Sequence, residues 1–244
     1  KSHVKLGGCN DHKEQLKEIE NIILLGCGTS FHSCMYGKEF MKKLCQFNSV
    51  HVYDGADFDA NDIPKKGKTA LVLLSQSGET KDLHRCLEMC KDLDLLKIGV
   101  VNVVDSLIAR EVDCGCYLNA GREVGVASTK SFTSQVIILS MMAIWFAQSH
   151  DINLQKRKKH IKDLRKLYLD IEKTLEKNNI DEFLSIFDKQ NNCFILGKDK
   201  GEAIAQETAL KIKEISYIHA EGYSSSSLKH GPFALLEKDF PVIL

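Results

Sequence analysis

Proline is scarce in this sequence, three residues in 244, and neither sign of charge is in excess: 33 Lys plus Arg stand against 33 Asp plus Glu. With 43% hydrophobic residues beside that mixed charge, enough apolar side chain is present to offset the ordering entropy, which excludes intrinsic disorder. Zero formal net charge also removes the broad attraction by which nucleic-acid binders and anionic-membrane binders gather their partners. No nucleic acid and no membrane is therefore expected as a partner, and an anionic ligand must be held locally. Long apolar runs are missing too. The longest, Val136 to Ala147, falls short of the ~20 residues of a spanning helix and is expected as a buried helix. The opening Lys1-Ser2-His3-Val4 has no initiating Met and no signal peptide, and reads as a cut or cleavage boundary. The length, about 1.5 times a usual domain of roughly 150 residues, allows one large domain or one and a part.

Cysteine is present in an odd number, nine, scattered through apolar segments, which reads as reduced thiols in a cytoplasmic protein. Cys86 and Cys90 fall one helical turn apart, and Cys114 and Cys116 share a strand face. No second Cys or His pair lies beside either at zinc-site spacing, so no metal is expected.

From Ile22 onward, short apolar runs alternate with segments of helical period. Residues 22–25, 50–53, 70–74, 98–101 and 116–118 read as five buried strands, and 30–45, 80–90, 106–111 and 129–148 as helices. That alternation implies an α/β fold with a parallel sheet covered on both faces, whose ligands bind beyond the carboxyl ends of the strands. After His150 comes a charged stretch, Lys156-Arg157-Lys158-Lys159-His160, then Ile161, Leu164, Leu167, Ile171 and Leu175 at helical spacing. This reads as a long amphipathic connecting helix whose basic residues form a solvated face. The first segment then repeats: Ile22 to Gly26 has its counterpart in Cys193 to Gly197, residues 50–58 in 217–223, and 70–74 in 241–244. The chain stops in the third strand of its second repeat, as expected of a fragment of something longer. The expected layout is a lead-in at 1–21, a first subdomain at 22–150, a helical linker at 151–190 and the beginning of a second subdomain at 191–244.

Three loops at strand ends carry the candidate chemistry. Gly26-Cys27-Gly28-Thr29-Ser30 is a strand-to-helix turn in which glycines allow close backbone approach and a helix amino terminus offers unpaired N–H groups to a phosphate. It lacks both the third glycine of a dinucleotide fingerprint and the Gly-Lys pair of a P-loop. It could equally be a plain capped turn. Ser75-Gln76-Ser77-Gly78-Glu79-Thr80 has more small polar donors than capping requires, so it reads as a phosphate cradle built without Arg or Lys. Glu123 to Lys130 opens the apolar helix and by analogy closes over the same ligand. In the second repeat, Lys211 and Glu214 share a helix face; a surface ion pair is the ordinary reading of that spacing. The apolar, β-branched run that follows predicts that Glu214 enters a core, where desolvation suits a carboxylate to work as a base. His230-Gly231-Pro232 follows a serine run, and a lone loop His is ordinarily a polar surface residue.

Taken in order, GCGTS, SQSGET, EVGVASTK, KIKEISYIHAEGY and LKHGP resemble the sugar isomerase (SIS) domains of the glutamine:fructose-6-phosphate amidotransferase family, from about Val4 to Leu244. The first two motifs alone indicate a SIS fold; KEISYIHAE with KHGP is specific to the amidotransferases. The resemblance implies tandem flavodoxin-like SIS subdomains, three-layer α/β/α, the second incomplete here. It implies a sugar phosphate held by Thr29, Ser30, Ser75, Gln76, Ser77 and Thr80, with Val126 and Ser128 near the sugar. It implies Glu214 as the base that moves a proton between carbons 2 and 1, Lys211 assisting, and His230 helping to open the sugar ring while reaching a neighbouring subunit, hence a homodimer. Fructose 6-phosphate and glucosamine 6-phosphate are the expected ligands, without metal or organic cofactor. The family's glutaminase domain, its ammonia source, and its carboxy-terminal tail with a Schiff-base Lys are not found in this sequence, so the chain alone is expected to be weakly active or inactive. Two other readings stand beside this one: another SIS sugar-phosphate isomerase, and a non-catalytic sugar-phosphate sensor, which would have no use for Glu214.

Overall fold

The computed structural model describes residues 3–177, 180–187 and 190–244. Lys1 and Ser2 of the expected lead-in, and positions 178, 179, 188 and 189 of the expected linker, lie outside the described residues. The chain divides into two compact units, Lys1–Ile161 and Lys162–Leu244.

In the first unit five strands, β1 (Ile19–Gly26), β2 (Ser49–Asp54), β3 (Lys68–Ser75), β4 (Leu96–Val101) and β5 (Cys114–Tyr117), pair in parallel in the order β2-β1-β3-β4-β5. This is the flavodoxin-like order, with the switch point between β1 and β3. Leu24 lies opposite Val52 on one side and Val72 on the other, so β1 and β3 are central strands. Ile23, Leu25, Leu71 and Leu73 bury one face against Leu83, Cys86 and Leu87 of α4 (Lys81–Met89) and Ile108 of α5 (Leu107–Glu111). The alternate residues Ile22, Leu24, Ala70 and Val72 are also fully buried, on the opposite face. That face is covered by α3 (Thr29–Leu44), which packs on β1 and against α6 (Lys130–Ser149). A Cβ on Gly37 would come within 2.7 Å of Leu139 Cδ1, so glycine is what lets α3 and α6 approach this closely.

All four expected helices of this unit begin and end within one residue of their sequence limits. The strands also fall where expected, but the two edge strands are less buried than predicted: no residue of β2 is buried, and in β5 only Cys114 is. An edge strand has a neighbour on one side only, so its apolar residues need less cover. Two five-residue helices, α1 (Gly7–Asp11) and α2 (Lys13–Lys17), were not legible because neither is long enough to show a period.

The apolar run at 136–147 extends at both ends into α6, a helix of 20 residues. By length and composition alone α6 could cross a membrane, which corrects the reading drawn from the run itself. In the fold, Leu139 and Met142 to Ala147 are buried among protein side chains, and Trp145 Nε1 donates to Asn10 Oδ1 at 2.7 Å. The connecting helix α7 (Leu154–Glu176) is present, and Lys156, Lys158 and Lys159 are exposed as expected. Arg157 departs from that reading. Its guanidinium is buried, donating to Ile152 O at 2.6 Å and to Asp151 Oδ1 at 3.0 Å, because Asp151 and Asn153 take left-handed conformations that bring these acceptors round to it. The helix α8 (Ile180–Phe187) completes the connecting segment.

The second unit carries β6 (Asn192–Gly197), α9 (Lys200–Ser216), β7 (His219–Ser224) and β8 (Val242–Ile243), with parallel strands in the order β7-β6-β8. This matches β2-β1-β3 of the first unit, and the repeat extends to the turn. Gly28 before α3 sits at φ 54°, ψ −124°, and Asp199 before α9 at φ 53°, ψ −119°. A Cβ on Gly26 or on Gly197 would collide with the backbone of the helix that follows. β7 starts two residues later than predicted because Tyr217, at φ 61°, ends α9 in a left-handed cap.

Candidate functional site

The central strands β1 and β3 end at Gly26 and Ser75, so the two glycine- and serine-rich loops leave the sheet side by side at its switch point. The first loop turns into α3, a helix of 16 residues whose positive dipole end lies at Thr29 and Ser30, with Ser30 N donating to Cys27 O at 3.1 Å. Ser30 is buried, and its Oγ accepts a 2.8 Å hydrogen bond from Gln135 Nε2 of α6. Ser33 Oγ donates to the same amide's Oε1 at 2.8 Å. A serine that accepts from Gln135 keeps its own proton to give to a ligand.

The second loop is held by its own hydroxyls. Ser75 Oγ accepts from Gly78 N at 2.9 Å and pairs with Thr80 Oγ1 at 2.8 Å, while Ser77 Oγ accepts from Glu79 N at 3.1 Å. Thr80 precedes α4 without capping it, so its hydroxyl stays at the loop's mouth. Gly78 is fixed by two requirements: φ is 70°, and an added Cβ would lie 1.9 Å from Ser106 Oγ. We therefore expect Gly78→Ala to destabilise the protein by about 2–3 kcal/mol from left-handed strain plus overpacking, read from the midpoint of urea unfolding. A change below roughly 0.5 kcal/mol would show that the loop relaxes freely.

The third loop runs from β5 to α6. Glu123 binds the start of that helix, accepting from the main-chain N–H of Thr129 at 3.4 Å and of Ser131 at 3.2 Å, and from the Ser131 hydroxyl. Burial alone would push its carboxyl up, but the Ser131 hydroxyl, the two amides and Lys130 outweigh it and hold the group below its ordinary value. A carboxylate held low stabilises the loop above the ordinary carboxylate range and loses that contribution as pH falls through the lowered value. Val126 is fully exposed, and Ser128 Oγ is buried with no hydrogen-bond partner among the described residues. A buried orphan hydroxyl costs stability unless something else pairs with it. Between the second and third loops lies an open cleft of about 480 Å³ lined by Gln76, Asn102, Val103, Asn119, Gly121 and Arg122.

In the second unit Lys211 Nζ lies 2.6 Å from Glu214 Oε2 and 3.5 Å from Glu207 Oε1. Glu207 is almost wholly buried, whereas the Glu214 side chain is 31% exposed. The expectation that Glu214 enters a core is thus corrected. Ala205, Ala209 and Ile212 supply the face of α9 that packs with β6, and Glu207, Lys211 and Glu214 follow one another along a different stripe. His230 ends a short 3-10 turn at Leu228–His230, exposed, and among the described residues no hydrogen bond joins its ring to Lys211 or Glu214. For a metal, the described residues offer His84, Glu88 and Glu111, whose ligand atoms lie within 4.8 Å of one another. His84 and Glu111 already satisfy each other at 3.2 Å, so that group needs no ion.

Three contributors escaped the sequence reading. Gln135, an amide near the start of an apolar helix, and Asn102, directly after β4, carried a signal in their positions. Asn102 ties the third loop in place, donating to Gly121 O at 2.7 Å and accepting from Ala120 N at 3.0 Å. Glu207 was marked only by its place four residues before Lys211.

The SIS domain family pattern matches residues 15–145 and 186–244. A protein of Acanthamoeba polyphaga mimivirus named "Probable glutamine–fructose-6-phosphate aminotransferase (isomerizing)" is 51% identical over 93% of this chain and 37% of its own length. The glutamine–fructose-6-phosphate aminotransferase (isomerizing) 2 of Homo sapiens is 40% identical over 99% of this chain and 35% of its own length. The chain thus spans little more than a third of the curated relatives it matches. Among solved structures, the C-terminal domain of glucosamine-fructose-6-phosphate aminotransferase from Francisella tularensis aligns with a TM-score of 0.87 at 32% identity, over 99% of this chain and 68% of that one.

Proposed function

The chain belongs to the SIS domain family, and from that membership we propose that it is the isomerase region of a glutamine–fructose-6-phosphate aminotransferase. It binds fructose 6-phosphate and carries the ketose-to-aldose step toward glucosamine 6-phosphate in amino-sugar synthesis. The observation that carries this reading is the junction of two hydroxyl-rich loops at the β1/β3 switch point, with a buried orphan hydroxyl at Ser128, in a chain that also holds a lysine-paired glutamate at 214.

Thr29, Ser30, Ser75, Gln76, Ser77 and Thr80, with the amino-terminal end of α3, surround the phosphate, and Ser75 also shapes the loop that presents them. Val126 and Ser128 lie near the sugar. Fixing the phosphate holds the reacting carbons in place, an orientation effect worth up to roughly 7–11 kcal/mol in ideal cases. Glu214 takes a proton from carbon 1 of the open ketose and returns it to carbon 2. The Lys211 ammonium stabilises the oxyanion that develops between these steps, and Glu207 keeps that ammonium in position. His230 assists ring opening in a neighbouring subunit, so the working form is a homodimer. In the full-length protein a glutaminase domain supplies ammonia, and the site of action is the cytoplasm, with no nucleic acid or membrane as partner and no cofactor. Residues 22–150 form the first SIS subdomain and 191–244 belong to the second, joined through the helical segment 151–190.

A thermal-shift titration tests the binding step. Fructose 6-phosphate at 100 times its Kd should stabilise the chain by about 2.7 kcal/mol, and unphosphorylated fructose at the same concentration should give no shift. Equal shifts for the two sugars would remove the phosphate from the reading.

A further inference from the structure

The thiol pair at Cys114 and Cys116 has no part in that chemistry, and the fold gives it a third member. The two cysteines project from the same side of β5. Across them lies α1, in van der Waals contact with the strand: a Cβ on Gly8 would come within 2.5 Å of the Gly115 carbonyl oxygen, between the two thiols. Asn10 of α1 is pinned to Trp145, so this contact is built into the core of the unit. Cys9 is fully buried, and its thiol interacts with those of Cys114 and Cys116, one S–H facing two sulfurs. Of the three, Cys116 reaches furthest toward solvent.

We propose that Cys116 and Cys9 form a thiol-oxidation site, in which Cys116 is attacked first and Cys9 resolves it into a disulfide that staples α1 to β5. The oxidant is a low-molecular-weight disulfide such as oxidised glutathione. The Cys116 thiolate attacks one sulfur of the oxidant, forming a mixed disulfide and releasing one thiolate. Cys9 then attacks the Cys116 sulfur and releases the second thiolate, which takes up the Cys9 proton as it departs. Two protein thiols are oxidised by two electrons, and one small disulfide is reduced to two thiols.

The surroundings favour this order. The hydrogen bond from Cys9 holds the Cys116 thiol below its ordinary value against the opposing effect of burial, and does the same for Cys114. Burial pushes the thiols of Cys27 and Cys45 up to about 12, and Cys9, pushed up by its two neighbouring thiols and by burial, is not the one that reacts first.

The test is peptide mapping of the whole chain after exposure to oxidised glutathione near neutral pH and alkylation of the remaining thiols. The expected product is one intramolecular bond between Cys9 and Cys116, with the remaining seven thiols alkylated. Cys114→Ser should keep that bond. Cys116→Ser should lose it and slow the consumption of Cys9 by about tenfold or more. Cys9→Ala should stop at a mixed disulfide on Cys116. Mapping of the unaltered chain decides the matter even where a variant fails to fold. A bond between Cys9 and Cys114 would overturn the assignment. So would a stable mixed disulfide in the unaltered chain, or thiols that resist oxidation until a tightly held metal is removed.

Discussion

Replacing Glu214 with Gln in the full-length protein should lower the rate of glucosamine 6-phosphate formation by roughly 10²- to 10⁴-fold, the range lost when a positioned general base is removed. Fructose 6-phosphate should bind the variant with a Kd within a few-fold of the original. Glutamine has nearly the volume of glutamate and keeps an acceptor toward Lys211, so α9 and its packing on β6 should be undisturbed. What disappears is the ability to hold a proton between two carbons. Lys211 keeps its second partner, Glu207, and should not swing away. If the rate fell together with binding, the residue would be holding the sugar, and the proton carrier would have to be sought elsewhere.

The second large effect belongs to the phosphate. Changing both Ser75 and Thr80 to Ala removes a hydroxyl pair at 2.8 Å and the acceptor that holds Gly78 N. Hydrogen bonds to a charged group contribute about 1.5–3 kcal/mol each, so the double variant should lose about 3–6 kcal/mol of affinity for fructose 6-phosphate, roughly 10²- to 10⁴-fold in Kd. Isothermal titration with phosphorylated and unphosphorylated sugars would separate the two components. The loss should be confined to the phosphorylated ligands, since the hydroxyls lie at the end of β3, where the proposed phosphate site is. A loss of equal size for both kinds of sugar would mean that the loop had collapsed and that Ser75 and Thr80 serve only as scaffolding.

The first unit was readable because its strands are apolar runs bounded by glycine, serine and aspartate, and its helices are long enough to show a period. Leu83, Cys86 and Leu87 face the sheet at the spacing their sequence announces. The repeat was readable for the same reason, down to Gly26 and Gly197, each of which lets the following helix approach closely. What escaped was whatever depends on residues far apart in sequence. Nothing near Gln135 indicates that its amide will meet Ser30, 105 residues earlier, and nothing near Cys9 indicates that it will lie against Cys114 and Cys116. Glu214 is not buried, because the apolar residues after it do not extend a core. Ile215 is in fact 66% exposed, and α9 turns its alanines to the sheet instead. The buried guanidinium of Arg157 was hidden in a run of lysines that do remain in water; only the left-handed turn before it gives it acceptors.

The central claim is that this chain moves a proton on a sugar anchored by its phosphate, and hydrogen exchange at carbon 1 of fructose 6-phosphate in heavy water reads that step directly. The full-length protein should introduce deuterium at carbon 1, and its Glu214→Gln variant should introduce none above the uncatalysed background while still binding the sugar. Exchange that continues undiminished in the variant would contradict the account.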